Sequence, residues 1–224
     1  MAITAGHPGH ARLKFNPVGR PNEPIQDSLK VLVYAPLEVL VYVYLVTDGQ
    51  GRTSALSFAA VAGRLKDINE FLTPQTGISF RLNLNERFTV AADLGQQVTT
   101  EPEVWAILDE LNANADRFAP TLANISLYVV QRWSALDECA SVTCTKDVRG
   151  LADPRSDVTG ERRCIMEDDT SVKRYLTRLA HELRHTLGAE HDDDHGDAAL
   201  MAFRKGEDGL YIYPNTVREI RGLP

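Results

Sequence analysis

No run of basic residues longer than two occurs in these 224 residues, and Asp plus Glu outnumber Lys plus Arg by 31 to 24, a formal net charge of −7. A surface of that sign suits neither nucleic acid nor an anionic membrane, so neither is expected as a partner. An apolar stretch long enough to span a bilayer is also missing, because the richest one, Val31 to Val46, is interrupted by Pro36 and Glu38. The first residues, Met1-Ala2-Ile3-Thr4-Ala5-Gly6, have no charged start followed by an apolar core, so no signal peptide is expected there. Cysteine is scarce. Cys139, Cys144 and Cys164 are an odd set, which allows one disulfide and a leftover thiol or three reduced thiols. What is abundant is core material: 43% hydrophobic and 25% charged residues can fill one domain, or one large and one small lobe.

Residues 1 to 28, punctuated by Pro8, Pro17, Pro21 and Pro24, read as an extended arm or linker, with His7 and His10 solvated or able to visit a metal cleft. Residues 29–224 are expected to form the domain. Leu37 to Val46, rich in Val, Leu and Tyr, reads as a strand after Pro36. Leu56, Ala60, Val61, Leu65, Ile68 and Leu72 form a helical stripe that begins near Thr53 or Ser54 and is expected to stop at Pro74. A second strand is expected over Phe80 to Val90. The capping box Thr100-Glu101-Pro102-Glu103 opens a second helix running to about Phe118, and a buried strand follows over Ile125 to Trp133. Short strands are expected at Arg149 to Asp153 and Arg162 to Met166. This alternation gives the expected fold class: α/β, a mixed, mostly parallel twisted sheet covered by helices.

The stretch that carries chemistry is His181-Glu182-Leu183-Arg184-His185-Thr186-Leu187-Gly188-Ala189-Glu190-His191-Asp192. Residues 171 to 186 contain neither Gly nor Pro, and Val172, Leu176, Leu179, Ala180, Leu183 and Leu187 recur at helical spacing, so a helix is expected, with Asp168, Asp169, Thr170 and Ser171 capping its start. His181 and His185 then lie one turn apart on one face and can share a metal ion. Glu182 is one residue round, within reach of a water at that ion without competing for it. Zn²⁺ prefers four ligands, which calls for a third protein donor. His191 supplies it if Gly188 adopts a left-handed conformation, ends the helix and turns the chain back. At this composition HExxH alone arises by chance in roughly one such chain in a hundred, and the full HExxHxxGxxH in on the order of one in 10⁵.

HExxHxxGxxH resembles the signature of the metzincin zinc peptidases. Met201, in Ala199-Leu200-Met201-Ala202, resembles the Met-turn beneath their metal, and Asp192 after His191 resembles the adamalysin (reprolysin) branch. The resemblance implies a zincin-like α+β domain with an upper lobe over about 29–188, a small irregular lower lobe over about 189–224, and a zinc cleft between them. It implies a secreted or extracellular metalloendopeptidase holding one zinc ion on His181, His185 and His191, with Glu182 as general base and Gly188, Asp192 and Met201 as structural support. It further implies that Gly150, Leu151 and Ala152 form the sheet edge that binds peptide substrate antiparallel, and that Cys164 pairs with Cys139 or Cys144. A monomer acting on protein or peptide substrates is expected.

The acidic segment Asp192-Asp193-Asp194-His195-Gly196-Asp197 could hold Ca²⁺ by carboxylate density, but its spacing fits no EF-hand loop, and a solvated loop with an exposed His195 is expected. Two departures from the resemblance stand out. Phe203 occupies the position where astacins and serralysins carry a Tyr, and Arg184 occupies one where the family usually has Gly; its long cationic chain must snorkel outward or meet a carboxylate. The alternative function is a catalytically weak or inactive binding protein on the same scaffold, against which the presence of Glu182 counts.

Overall fold

The structure is a computed structural model that describes residues 9–15, 27–33, 35–95, 101–117, 125–133, 135–136, 147–153, 162–168, 172–190, 212 and 217. In chain order the elements are β1 (Gly9–Phe15), β2 (Asp27–Val33), β3 (Leu37–Thr47), α1 (Phe58–Thr76), β4 (Ile78–Thr89), α2 (Glu101–Ala115), β5 (Ile125–Val130), β6 (Ala135–Leu136), β7 (Asp147–Val148), β8 (Gly150–Ala152), β9 (Arg163–Glu167) and α3 (Val172–His185). Five strands form the central sheet in the order β4-β3-β5-β9-β8. The pairs β3/β4, β3/β5 and β5/β9 are parallel, and only β8 runs antiparallel to its neighbour. This is the mixed, mostly parallel α/β sheet expected from the sequence.

β3 reads as a nearly unbroken apolar run because both of its faces are covered. Val39, Val41, Val43 and Leu45 point into a core shared with Val61, Leu65, Ile68 and Leu72 of α1 and with Tyr175, Leu179 and Leu183 of α3. Tyr42, Tyr44 and Val46 point the other way, into a core shared with Leu108, Leu111 and Ala115 of α2. The connection through α1 steps to one side of β3, and the next, through α2, crosses to its other side. Right-handed crossovers in opposite directions place their helices on opposite faces. α1 and α3 share one face and are tied there by the Arg64 guanidinium, 4.1 Å from the ring centre of Tyr175.

One expectation changes. α1 begins at Phe58 behind the N-cap Ser57 and runs through Pro74 to Gly77 instead of stopping at the proline. Near a helix end a proline disturbs few main-chain bonds, and the Thr76 hydroxyl and Gln75 amide reach back to the carbonyls of Leu72 and Phe71. The segment read as an extended arm or linker contains β1, which pairs antiparallel with β2 from Gly9 opposite Val33 to Phe15 opposite Asp27. Asp168, expected at the cap of α3, accepts hydrogen bonds at Oδ2 from Ser54 Oγ (3.0 Å) and from the N–H of Ala55 (2.6 Å) and Leu56 (3.3 Å). It fastens the end of β9 to the loop before α1. Asp169, Thr170 and Ser171 lie outside the described residues.

Candidate active site

α3 buries Leu179, Ala180 and Leu183 against the sheet, which leaves His181, Glu182 and His185 half-buried on the flank turned toward β8. The imidazoles of His181 and His185 meet at 82° with ring centres 4.6 Å apart, and their Nε2 atoms are 3.0 Å apart. Two Zn–N bonds of about 2.0–2.1 Å at a tetrahedral angle put the nitrogens ~3.3 Å apart, so the pair needs to open by only a few tenths of an ångström to hold one ion. The donor set therefore fits zinc.

The tautomer is fixed by the end of the helix. Gly188 has φ +90°, in the left-handed region. The N–H of Gly188 donates to His185 O (2.9 Å) and that of Ala189 to Arg184 O (3.1 Å), the paired bonds of a Schellman turn. This reversal brings the Ala189 carbonyl 2.7 Å from His185 Nδ1. A carbonyl can only accept, so Nδ1 carries the proton and Nε2 keeps its lone pair for a metal. The glycine thus acts on the ligand beyond stopping the helix.

Glu182 points at β8. Its Oε2 accepts from the N–H of Ala152 at 3.0 Å. A Cβ at position 150 would lie 3.0 Å from Glu182 Cγ, 3.2 Å from its Oε1 and 2.6 Å from Met166 Sδ, so only glycine fits there without displacement. Leu151, between them, sends its side chain to the opposite face, against the α2 core. Beneath the carboxylate lies Cys164. Its thiol is free and buried, so the bridge expected from Cys164 to Cys139 or Cys144 is not made, and those two residues lie outside the described ones. The reason is placement: β9 is an inner strand of the sheet and turns this side chain into the α1/α3 core. Burial, and after it the charge of Glu182, push this thiol well above its usual range.

Arg184 is 0% exposed. Of the two placements open to it from the sequence, outward snorkelling is thereby excluded. Among the described residues no third His, Cys, Asp or Glu joins the His181–His185 pair. His191, Asp192, Met201, His195 and Phe203 lie outside the described residues. Sequence reasoning missed the Ala189 carbonyl and the contact of Glu182 with Gly150 and Ala152. The first was recoverable from the Gly188 turn; the second joins positions about thirty apart and has no periodic signal.

No protein-family model matches the chain, and no curated protein matches it. Among solved structures it is similar to metalloproteinase-II from Bacteroides fragilis, with TM-score 0.52 and 14% identity, covering 85% of this chain and 55% of that one. It is also similar to OgpA from Akkermansia muciniphila, with TM-score 0.55 and 12% identity, covering 83% of this chain and 61% of that one. A zinc-dependent peptidase from Methanocorpusculum labreanum aligns with TM-score 0.47 and 15% identity, over 81% of this chain and 99% of that one. The chain thus spans less than two thirds of the length of the first two. At these identities the likeness is one of fold: a zincin-like metalloprotease fold, with nothing that singles out the adamalysin branch.

Proposed function

We propose that this chain is a zinc-dependent endopeptidase that hydrolyses internal peptide bonds, with His181, His185 and His191 holding the ion and Glu182 as general base. The observation that carries the reading is the convergence of the two Nε2 atoms at 3.0 Å with Nδ1 of His185 already committed to Ala189 O. An imidazole locked into the ligand tautomer, facing a second one and next to a carboxylate, has no comparable use in a purely structural helix.

Bound there, zinc would supply a Lewis acid that polarises a carbonyl and lowers the pKa of water toward ~7. The chain's own groups do the rest. Glu182 takes the proton of the attacking water and delivers it to the departing amine, acting first as base and then as acid. β8, as a sheet edge, leaves outward main-chain groups other than the Ala152 N–H, such as the Ala152 carbonyl, for an extended peptide of any sequence, which suits a protein or peptide substrate. Gly188 and the Ala189 carbonyl keep His185 oriented, and Asp192 and Met201 complete the support below it.

One observation favours the alternative, a weakly active or inactive binding protein on this scaffold. Arg184, at a position where the resembled family usually has Gly, buries its whole side chain next to His185 in sequence. Digestion of a mixed peptide library by the purified protein, with and without a zinc chelator and with cut sites mapped by mass spectrometry, separates the two. Chelator-sensitive cuts at internal bonds are expected; zinc-loaded protein that cuts nothing would favour the alternative.

A further inference from the structure

We infer that β8 seats the catalytic carboxylate as well as forming a sheet edge: the N–H of Ala152 and the bare Cα of Gly150 are positioning groups for Glu182. The inference rests on the proposed role of Glu182 as general base. Its physical content is separate, because it concerns where the carboxylate is held before any peptide arrives.

The ladder between β8 and β9 decides which groups face outward. Glu167 N–H donates to Arg149 O (2.9 Å) and Asp153 N–H donates to Arg163 O (2.8 Å), so residues 149 and 153 turn their polar groups toward β9. In an antiparallel pair this orientation alternates, which turns 151 inward with them and 150 and 152 outward. The outward N–H of Ala152 therefore has no strand partner among the described residues, and Glu182 Oε2 takes it at 3.0 Å. A backbone donor to an ionised carboxylate is a short-range, directional contact, stronger than one between neutral groups. It fixes one oxygen of Glu182.

Gly150 fixes the other end of the side chain by leaving room. It is not among the glycines with positive φ, so its backbone would suit other residues and the requirement is space. The hypothetical Cβ contacts at 3.0 Å to Glu182 Cγ and 3.2 Å to Oε1 mean that a single methyl group would push the carboxylate off its seat. Met166 Sδ, at 2.6 Å from that Cβ, is the end of a flexible side chain and can move aside, whereas Glu182 is held at Cα by the helix. Oε2 is anchored by a donor and Cγ by contact with a strand that has no side chain there, so the carboxylate is held in one rotamer. Reaction geometry is sensitive to such shifts: a 1 Å misplacement costs ~10²-fold in rate, and the few tenths of an ångström that Glu182 must give here correspond to a several-fold loss.

The test reads the Ala152 amide directly, in ¹⁵N-labelled, zinc-loaded full chain without substrate. An outward edge amide exchanges readily with solvent unless something covers it. We expect Ala152 to be protected in the wild-type protein and to exchange at least ~10-fold faster in Glu182→Ala at equal zinc content, because the carboxylate is its acceptor. Equal exchange in the two proteins would overturn the inference. In Gly150→Ala we expect kcat to fall by roughly 3- to 10-fold with KM within about threefold and zinc content unchanged, since the methyl shifts the base while leaving the metal ligands and the main-chain groups of the edge in place. Unchanged kcat, or a loss confined to KM, would count against it. Should Gly150→Ala fail to fold, the exchange comparison decides alone. Because exchange is measured without substrate, a protected Ala152 in a protein that cuts no peptide would retain the seat and remove the peptidase reading.

Discussion

Both edges of the five-stranded sheet leave one row of backbone groups without a neighbouring strand among the described residues, and the chain treats them differently. β4 is 12 residues long, and its outer half alternates half-buried and exposed positions with Arg81 and Arg87 among the exposed ones. Arg81 pairs with Glu38 at 2.9 Å, each side chain about half exposed, and Arg87 lies 5.2 Å over the ring of Phe58. Charge along a long edge deters the addition of another strand. β8 is three residues long, lacks any charged side chain, and has its outward N–H taken by Glu182. The difference shows that an edge can be guarded by charge or committed to chemistry, and that the commitment is visible in what accepts its amides.

The largest expected effect lies on the committed side. His185→Ala removes a ligand and with it the link through Ala189, and should weaken zinc binding by more than the ~10–100-fold typical when only a ligand's supporting partner is lost. Metal content after dialysis against a weak chelator measures it. Gly188→Ala is the sharper variant, because it spares every ligand. The strained left-handed residue should cost about 1 kcal/mol in thermal stability and, by loosening the Ala189 carbonyl on His185, ~10-fold in zinc affinity. Equal zinc affinity at reduced stability would separate the turn from the metal. On the guarded side Arg81→Ala should change stability by no more than ~0.5 kcal/mol, as an exposed pair does, and leave turnover unaltered. A large loss of activity there would erase the contrast between the edges.

The helix of the site was legible because its signals are local. Apolar spacing from Leu176 to Leu187 fixed its buried face, and that face placed His181 and His185 together. Gly188 marked its end for the same reason. The parallel sheet followed from strands alternating with helices, and Val39 to Val46 announced burial on both sides by having almost no polar residue. What escaped is non-local or depends on competition. Pro74 reads as a stop, yet side-chain bonds from Gln75 and Thr76 carry α1 past it. Asp168 reads as a helix cap, and no local signal announces the three donors at residues 54–56 that its Oδ2 takes. Cys164 reads as a disulfide partner, but its strand turns it into the core. The contact between Ala152 and Glu182 joins a strand and a helix that only folding brings together.

The most direct test of the account is zinc content and peptide turnover measured on the same preparations of wild-type protein and Glu182→Ala. Glu182 donates to the reaction and not to the ion, so the variant should keep its zinc at wild-type stoichiometry while hydrolysis falls by at least ~10²-fold, the scale of a lost general base. Turnover that survives the substitution with zinc in place would contradict the assignment of Glu182 and, with it, the reading of β8 as its seat.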